Sequence, residues 1–87
     1  MRTSHQLLLR LWHDPEYAFD RVRVAYVNRG APGDRSWVAG NAISHLDASY
    51  LEIKSEIGIT CIPYHRIRQI LYNDTVLWEH QSRQEDA

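Results

Sequence analysis

One cysteine, Cys61, stands alone among 87 residues, which rules out an internal disulfide and any cysteine-rich zinc site and fits a reducing compartment. The sequence also lacks an apolar run long enough to span a bilayer, and its start carries no cleavable signal pattern. The expected location is therefore cytoplasmic. Nor is there an excess of positive charge: ten Lys and Arg against eleven Asp and Glu leave a formal net charge of -1 at pH 7. General basicity is how phosphate-rich partners are usually collected, so any nucleic-acid contact here has to be local. Repeats and low-complexity tracts are absent. No cluster of histidines and carboxylates has convincing ligand spacing, so neither a metal nor another cofactor is expected.

What is present suits one small core. Hydrophobic residues make up 44% of the chain and charged residues 24%, ordinary values for a compact unit too short to divide in two. A domain this size buries only roughly 60% of its unfolded surface. Much of the packing is then expected from three tryptophans and five tyrosines. Trp12, Tyr26, Trp37 and Trp78 are all assigned to structure on this ground.

Thr3 and Gln6 form a capping-box pattern, and Leu7, Leu8, Leu11 and Trp12 follow at helical spacing, predicting an amphipathic helix over Thr3 to Trp12. His13-Asp14-Pro15 ends it. From Arg21 to Val27 the pattern alternates, with Val22, Val24 and Tyr26 on one side and Arg21, Arg23 and Ala25 on the other, as in a half-buried strand. Asn28 to Ser36, with two glycines, a proline and an aspartate, reads as a loop. Trp37 to Gly40 fits a short second strand, and Asn41 to Ser49 is ambiguous between a helical turn and coil. Tyr50 to Lys54 and Ile59 to Ile62 suggest a hairpin turning at Gly58. Pro63, which has no N–H for a ladder, marks an edge, a bulge or a strand end, and His65 and Arg66 follow on a bend. A last hairpin joins Arg68 to Tyr72 with Val76 to Glu79 through Asn73-Asp74.

The predicted fold is α+β, an N-terminal helix packed on a small, mostly antiparallel sheet or barrel of about five strands, in a single globular domain over residues 1–80. The segment 81–87 reads as a flexible polar tail. Leu8, Leu11, Val24, Leu51, Ile53, Ile62, Ile67, Ile70 and Leu77 are the expected inward row.

Three segments stand out in order and spacing across residues 12 to 78. They are Trp12-His13-Asp14-Pro15; Val24 and Tyr26 followed by Arg29-Gly30-Ala31-Pro32-Gly33-Asp34-Arg35; and Ile62-Pro63-Tyr64-His65-Arg66-Ile67, followed by Ile70 and closed by Trp78. Together they resemble a family of small archaeal uncharacterised proteins, also found as a module in some eukaryotic proteins and described as a predicted RNA cyclic-phosphate-end recognition domain. The resemblance implies an RNA terminus as partner and the two loops as its site.

The residue chemistry of those loops agrees with that implication without requiring it. In Arg29 to Arg35, glycines Gly30 and Gly33 let backbone N–H groups turn toward one point, and Arg29 and Arg35 add charge-assisted forks. Asp34 is unsuited to touch a phosphate directly, so its expected part is to hold an arginine or histidine in place. By residue type alone a plain strand connection is the better reading; the resemblance moves an anion site slightly ahead. His65 and Arg66 point to opposite sides of an extended chain, and a bend after Pro63 would let both reach one ligand. An arginine grips a phosphate at two places, and an imidazole can donate to its oxygens or move a proton. Tyr64 could stack on a terminal base, although a tyrosine beside a core strand is more often packing. Arg21, Arg23, Arg66 and Arg68 would form a basic stripe if their strands lie close; more often such residues make a solvated face.

Three function classes follow. The leading one is an RNA-binding module that recognises an RNA terminus, with a 2′,3′-cyclic phosphate as the finer form and an RNA-processing enzyme as a candidate partner. The second is a phosphodiester-processing enzyme with His65 as acid or base and Arg29 or Arg35 stabilising the charged transition state, weakened because the other motif histidine, His13, sits at a helix exit with no evident link to His65. No catalytic residue is assigned. The third is a protein-interaction module docking on the edge of the last hairpin.

Overall fold

The computed structural model describes residues 3–80. The expected tail 81–87 lies outside them. Helix α1 covers Ser4–His13, and its start is the reciprocal cap that the sequence encodes: the Gln6 N–H donates to Thr3 Oγ1 at 3.1 Å, and the Thr3 N–H donates to Gln6 Oε1 at 3.0 Å. The helix buries Leu7, Leu8 and Leu11. Each such leucine contributes roughly 1.5–3 kcal/mol relative to exposure. Of the two aromatic anchors near the helix exit, Trp12 meets Phe19 edge-on at 4.9 Å, and Tyr17 meets Tyr72 at 5.2 Å.

Seven strands follow among the described residues: β1 Val22–Val27, β2 Arg35–Ala39, β3 Ile43–Leu46, β4 Tyr50–Ser55, β5 Gly58–Pro63, β6 Ile67–Tyr72 and β7 Thr75–Glu79. They form two antiparallel sheets, ordered β2-β1-β6-β7 and β3-β4-β5. The α+β class and the antiparallel pairing are as expected, with seven strands in place of about five and no closed barrel. Both sheets and the helix feed one core, in which Val22, Val24, Val38, Ile67 and Ile70 from the first sheet meet Ile43, Leu51, Ile53 and Ile62 from the second. Single 3-10 turns at Gly40–Ala42 and Tyr64–Arg66 carry the chain from one sheet to the other. No described helix is long and apolar enough to cross a membrane.

The first of these corners depends on a missing side chain. A Cβ on Gly40 would stand 1.8 Å from the Phe19 carbonyl oxygen, so the turn Phe19–Arg21 and the corner Gly40–Ala42 touch backbone to backbone.

Two bulges and the phase of β2 decide which side chains face inward. Between β1 and β6 the register passes from Ala25↔Gln69 to Tyr26↔Ile67, leaving Arg68 as an extra residue. A bulge of this kind lets Ile67 and Ile70 both point inward although three positions separate them. Between β6 and β7 the register passes from Ile70↔Trp78 to Leu71↔Val76, so Leu77 is the extra residue. That corrects one expected core position: Leu77 is 43% exposed, and Trp78 packs against the core in its place. Trp37 is a second correction. Val38 pairs with Val24 and takes the inward place on β2, which turns Trp37 outward at 49% exposure.

Candidate functional site

The two sequence-predicted loops meet at one open cleft of about 650 Å³, lined by Val27, Asn28, Arg29, His65, Arg66 and Arg68. Three different pieces of backbone build it. The end of β1 runs into the glycine loop and delivers Arg29. The 3-10 turn after Pro63 supplies the bend that His65 and Arg66 need in order to face one space. The bulge in β6 turns Arg68 toward the same place, and its Nη1 donates to the His65 carbonyl at 3.2 Å, tying the base of the cleft to the turn. Pro63 ends β5, an edge strand, where its missing N–H costs no ladder bond.

Within the glycine loop four backbone donors bond inside the loop. The Ala31 N–H donates to the Asn28 carbonyl at 3.1 Å, the Asp34 N–H to the Ala31 carbonyl at 2.8 Å, and the Asn28 N–H to the Asp34 carbonyl at 2.8 Å. The Gly30 N–H reaches Asp34 Oδ1 at 3.3 Å. Asp34 thus holds a backbone amide, in place of the arginine or histidine expected for it. Gly30, Gly33 and Asp34 adopt positive φ of 97°, 66° and 55°, which explains the residue types: glycines and an aspartate tolerate the left-handed region. Neither glycine lines the cleft. Arg35 opens β2 opposite Val27, exposed and beside the lining residues. The charged or titratable side chains lining the open space are three guanidinium groups and one imidazole. Arg29, Arg66 and Arg68 make no ion pair among the described residues, where the one salt bridge joins Arg10 to Asp14 at 3.9 Å.

Tyr64 sits at the same turn but is bound into the fold. Its hydroxyl donates to the Asp47 carbonyl at 2.6 Å, and its ring stacks on His5 at 4.3 Å. Burial, and secondarily the Asp47 charge, push its phenol up to about 12. Asp47 itself is held below the usual carboxylate range, first by the Ala48 N–H that its side chain accepts and then by Tyr50.

The expected basic stripe divides in two. Arg66 and Arg68 face the cleft. Arg21 lies in the turn before β1 and donates to Asn73 Oδ1 at 3.3 Å, while Arg23 Nη1 donates to the carbonyls of Asp20 and Val22 at 3.2 and 3.1 Å, at the far end of the strand. No group of three or more His, Cys, Asp or Glu among the described residues is placed to hold a metal ion.

The sequence raised Arg68 only as part of a basic stripe and did not single out Asn28, although both line the cleft. A signal for Arg68 was present: two isoleucines that both belong inward, at 67 and 70, cannot alternate without a bulge between them.

A family model described as the MJ1316 RNA cyclic group end recognition domain matches residues 1–80. A UPF0248 protein from Archaeoglobus fulgidus is 36% identical over 67 residues, which cover 77% of this chain and 88% of the relative. No solved structure matches the chain.

Proposed function

Since this chain belongs to the MJ1316 RNA cyclic group end recognition family, we propose that it binds an RNA terminus and that a 2′,3′-cyclic phosphate is the group it reads. The observation that carries this reading is the cleft, where Arg29, His65, Arg66 and Arg68 converge from separate segments. A cyclic phosphate keeps one negative charge on two non-bridging oxygens, a pair that a planar guanidinium fork matches. A terminal hydroxyl carries no charge and gives the arginines nothing to neutralise. With a net charge of -1, the protein has little general attraction for RNA backbone, so the local cluster must supply the selectivity.

Recognition ranks ahead of catalysis for a chemical reason. Opening a cyclic phosphate by general acid–base chemistry asks for two proton carriers, and His65 is the cleft's one imidazole, accompanied by arginines that stay charged.

The test is a binding comparison between RNA oligonucleotides of one sequence ending in cyclic phosphate, 3′-phosphate or hydroxyl. The cyclic end should bind more tightly than the hydroxyl end, and the 3′-phosphate arm shows whether the ring itself or only the charge is read. Arg66→Ala should weaken that complex by about tenfold, the lower end of what losing a charge-assisted hydrogen bond costs, because the cleft is open to water. Equal affinity for cyclic and hydroxyl ends would remove the proposal. Conversion of the cyclic RNA to an opened product by wild type but not by His65→Ala would reassign the cleft to an enzyme.

A further inference from the structure

Facing away from the core, the outer side of the four-stranded sheet carries one aromatic ring among the described residues, that of Trp37. It is half exposed, at 49%. Its cross-strand partner Ala25 is fully buried although it too faces outward, as expected of an alanine beside a large ring. Two positions back along β2 stands Arg35, and Arg35 pairs with Val27, which lines the cationic cleft. Trp37 is therefore the diagonal neighbour of a cleft-lining residue, at about 7–8 Å in strand geometry, a span that an indole bridges. Arg35 shares the outer face of β2 with Trp37, at the cleft end of the strand.

We propose that Trp37 is a stacking platform for the nucleobase of the same nucleotide whose phosphate enters the cleft, so that the protein reads an RNA end as a phosphate in an arginine cluster and a base on an indole. This rests on the phosphate reading above and extends it to a second subsite. Every base presents a π-face, so the platform accepts all four and gives little base preference. An exposed ring on the face that leads through Arg35 and Val27 to an arginine-lined cleft suits a polyanion carrying flat bases better than an apolar peptide. Tyr64 cannot serve the same purpose as freely, because His5 already covers one face of its ring and its hydroxyl is bonded to Asp47. The platform also offsets a weakness of the cleft. Arginines open to solvent hold a single phosphate loosely, and a stacked base adds affinity that salt does not screen.

The experiment is a double-mutant cycle read by fluorescence anisotropy, using the full chain and two RNAs that both end in cyclic phosphate, one with a normal and one with an abasic terminal nucleotide. Trp37→Leu keeps apolar cover for Ala25 but removes the π-face, and Trp37→Phe keeps a smaller one. Trp37→Leu should bind the normal RNA about tenfold more weakly and Trp37→Phe within about threefold of wild type. Wild type should lose the same factor, about tenfold, on the abasic RNA, whereas Trp37→Leu should not distinguish the two RNAs. If Trp37→Leu binds the normal RNA as wild type does, or is weakened equally for both RNAs, the platform is overturned. The phosphate reading would then stand so long as wild type still prefers the cyclic end over a hydroxyl end. Absence of that preference overturns both.

Discussion

Replacing Gly40 by alanine tests whether the corner between the two sheets is as tight as its geometry says. The added methyl would lie 1.8 Å from the Phe19 oxygen and 2.8 Å from its carbonyl carbon, and both are backbone atoms that no rotamer change can move aside. The two turns must separate by more than an ångström to restore ordinary contact. Overpacking a core usually costs about 1–3 kcal/mol when side chains can shift, so a clash with backbone belongs at the top of that range, about 3 kcal/mol. A chain of this length has roughly 4–13 kcal/mol of total stability. The substitution should therefore lower the melting temperature by about 12–24 °C, at roughly 4–8 °C per kcal/mol for a domain this small. Far-UV circular dichroism during heating, paired with urea titration, reads the loss. Gly33→Ala is the comparison: its methyl meets open space, and the cost is the strain of an alanine at φ 66°, about 1 kcal/mol. A loss below 1 kcal/mol at Gly40, or one no larger than at Gly33, would refute the reasoning.

Tyr64→Phe should change the alkaline stability profile. The folded state raises this phenol from its usual value near 10 to about 12 and so favours the neutral form. That contribution is complete below about pH 10 and is lost as pH rises toward 12, because the unfolded chain ionises first. The variant, weaker by about 0.5–1.5 kcal/mol at neutral pH for want of the bond to Asp47, should fall less steeply between pH 10 and 12; parallel urea-midpoint curves for the two proteins would contradict this. Asp34→Asn keeps an oxygen for the Gly30 N–H and tolerates φ 55° but removes a negative charge close to Arg29. Under the proposed function, its affinity for cyclic-phosphate RNA should rise about two- to fivefold at low salt and return toward wild type in 0.5 M salt, where the Debye length is only about 4 Å. Weaker binding at low salt would show that the carboxylate is needed for more than the loop.

The sequence displayed those parts of the fold that obey one period without interruption. Thr3 and Gln6 announced the helix because the capping box is a local pattern, and the hairpin of β4 and β5 followed from alternation around a single glycine. Bulges hid the rest. β3 has only four residues, and its register shift leaves Ser44 unpaired between Ile43↔Ile53 and His45↔Glu52, so Asn41 to Ser49 showed neither a helical nor a strand period. Leu77 and Trp37 were misplaced for related reasons. A bulge turned Leu77 out, and at Trp37 the size of the side chain was taken as a sign of burial although the smaller Val38 was in phase with Val24.

The cleft shows why motif spacing could name its residues without naming its donors. The glycine loop looked like a backbone anion cradle because its composition permits one, but composition does not say where the amides go. In the folded chain Asp34 accepts the Gly30 amide, and neighbouring carbonyls accept three more N–H groups, so most of the loop's bonding is internal. A loop bonded to itself in this way offers fewer backbone donors to a phosphate but ties down the chain on both sides of Arg29. The opposing arm is fixed in the same manner, by the 3-10 turn after Pro63 and by the Arg68 bond to the His65 carbonyl. Both sides of the cleft are thus set before any ligand arrives, and less of the binding energy is spent on ordering them. A reader of one terminal phosphate, with few contacts available to it and no net positive charge to help, depends on that economy more than a protein that tracks a whole RNA backbone.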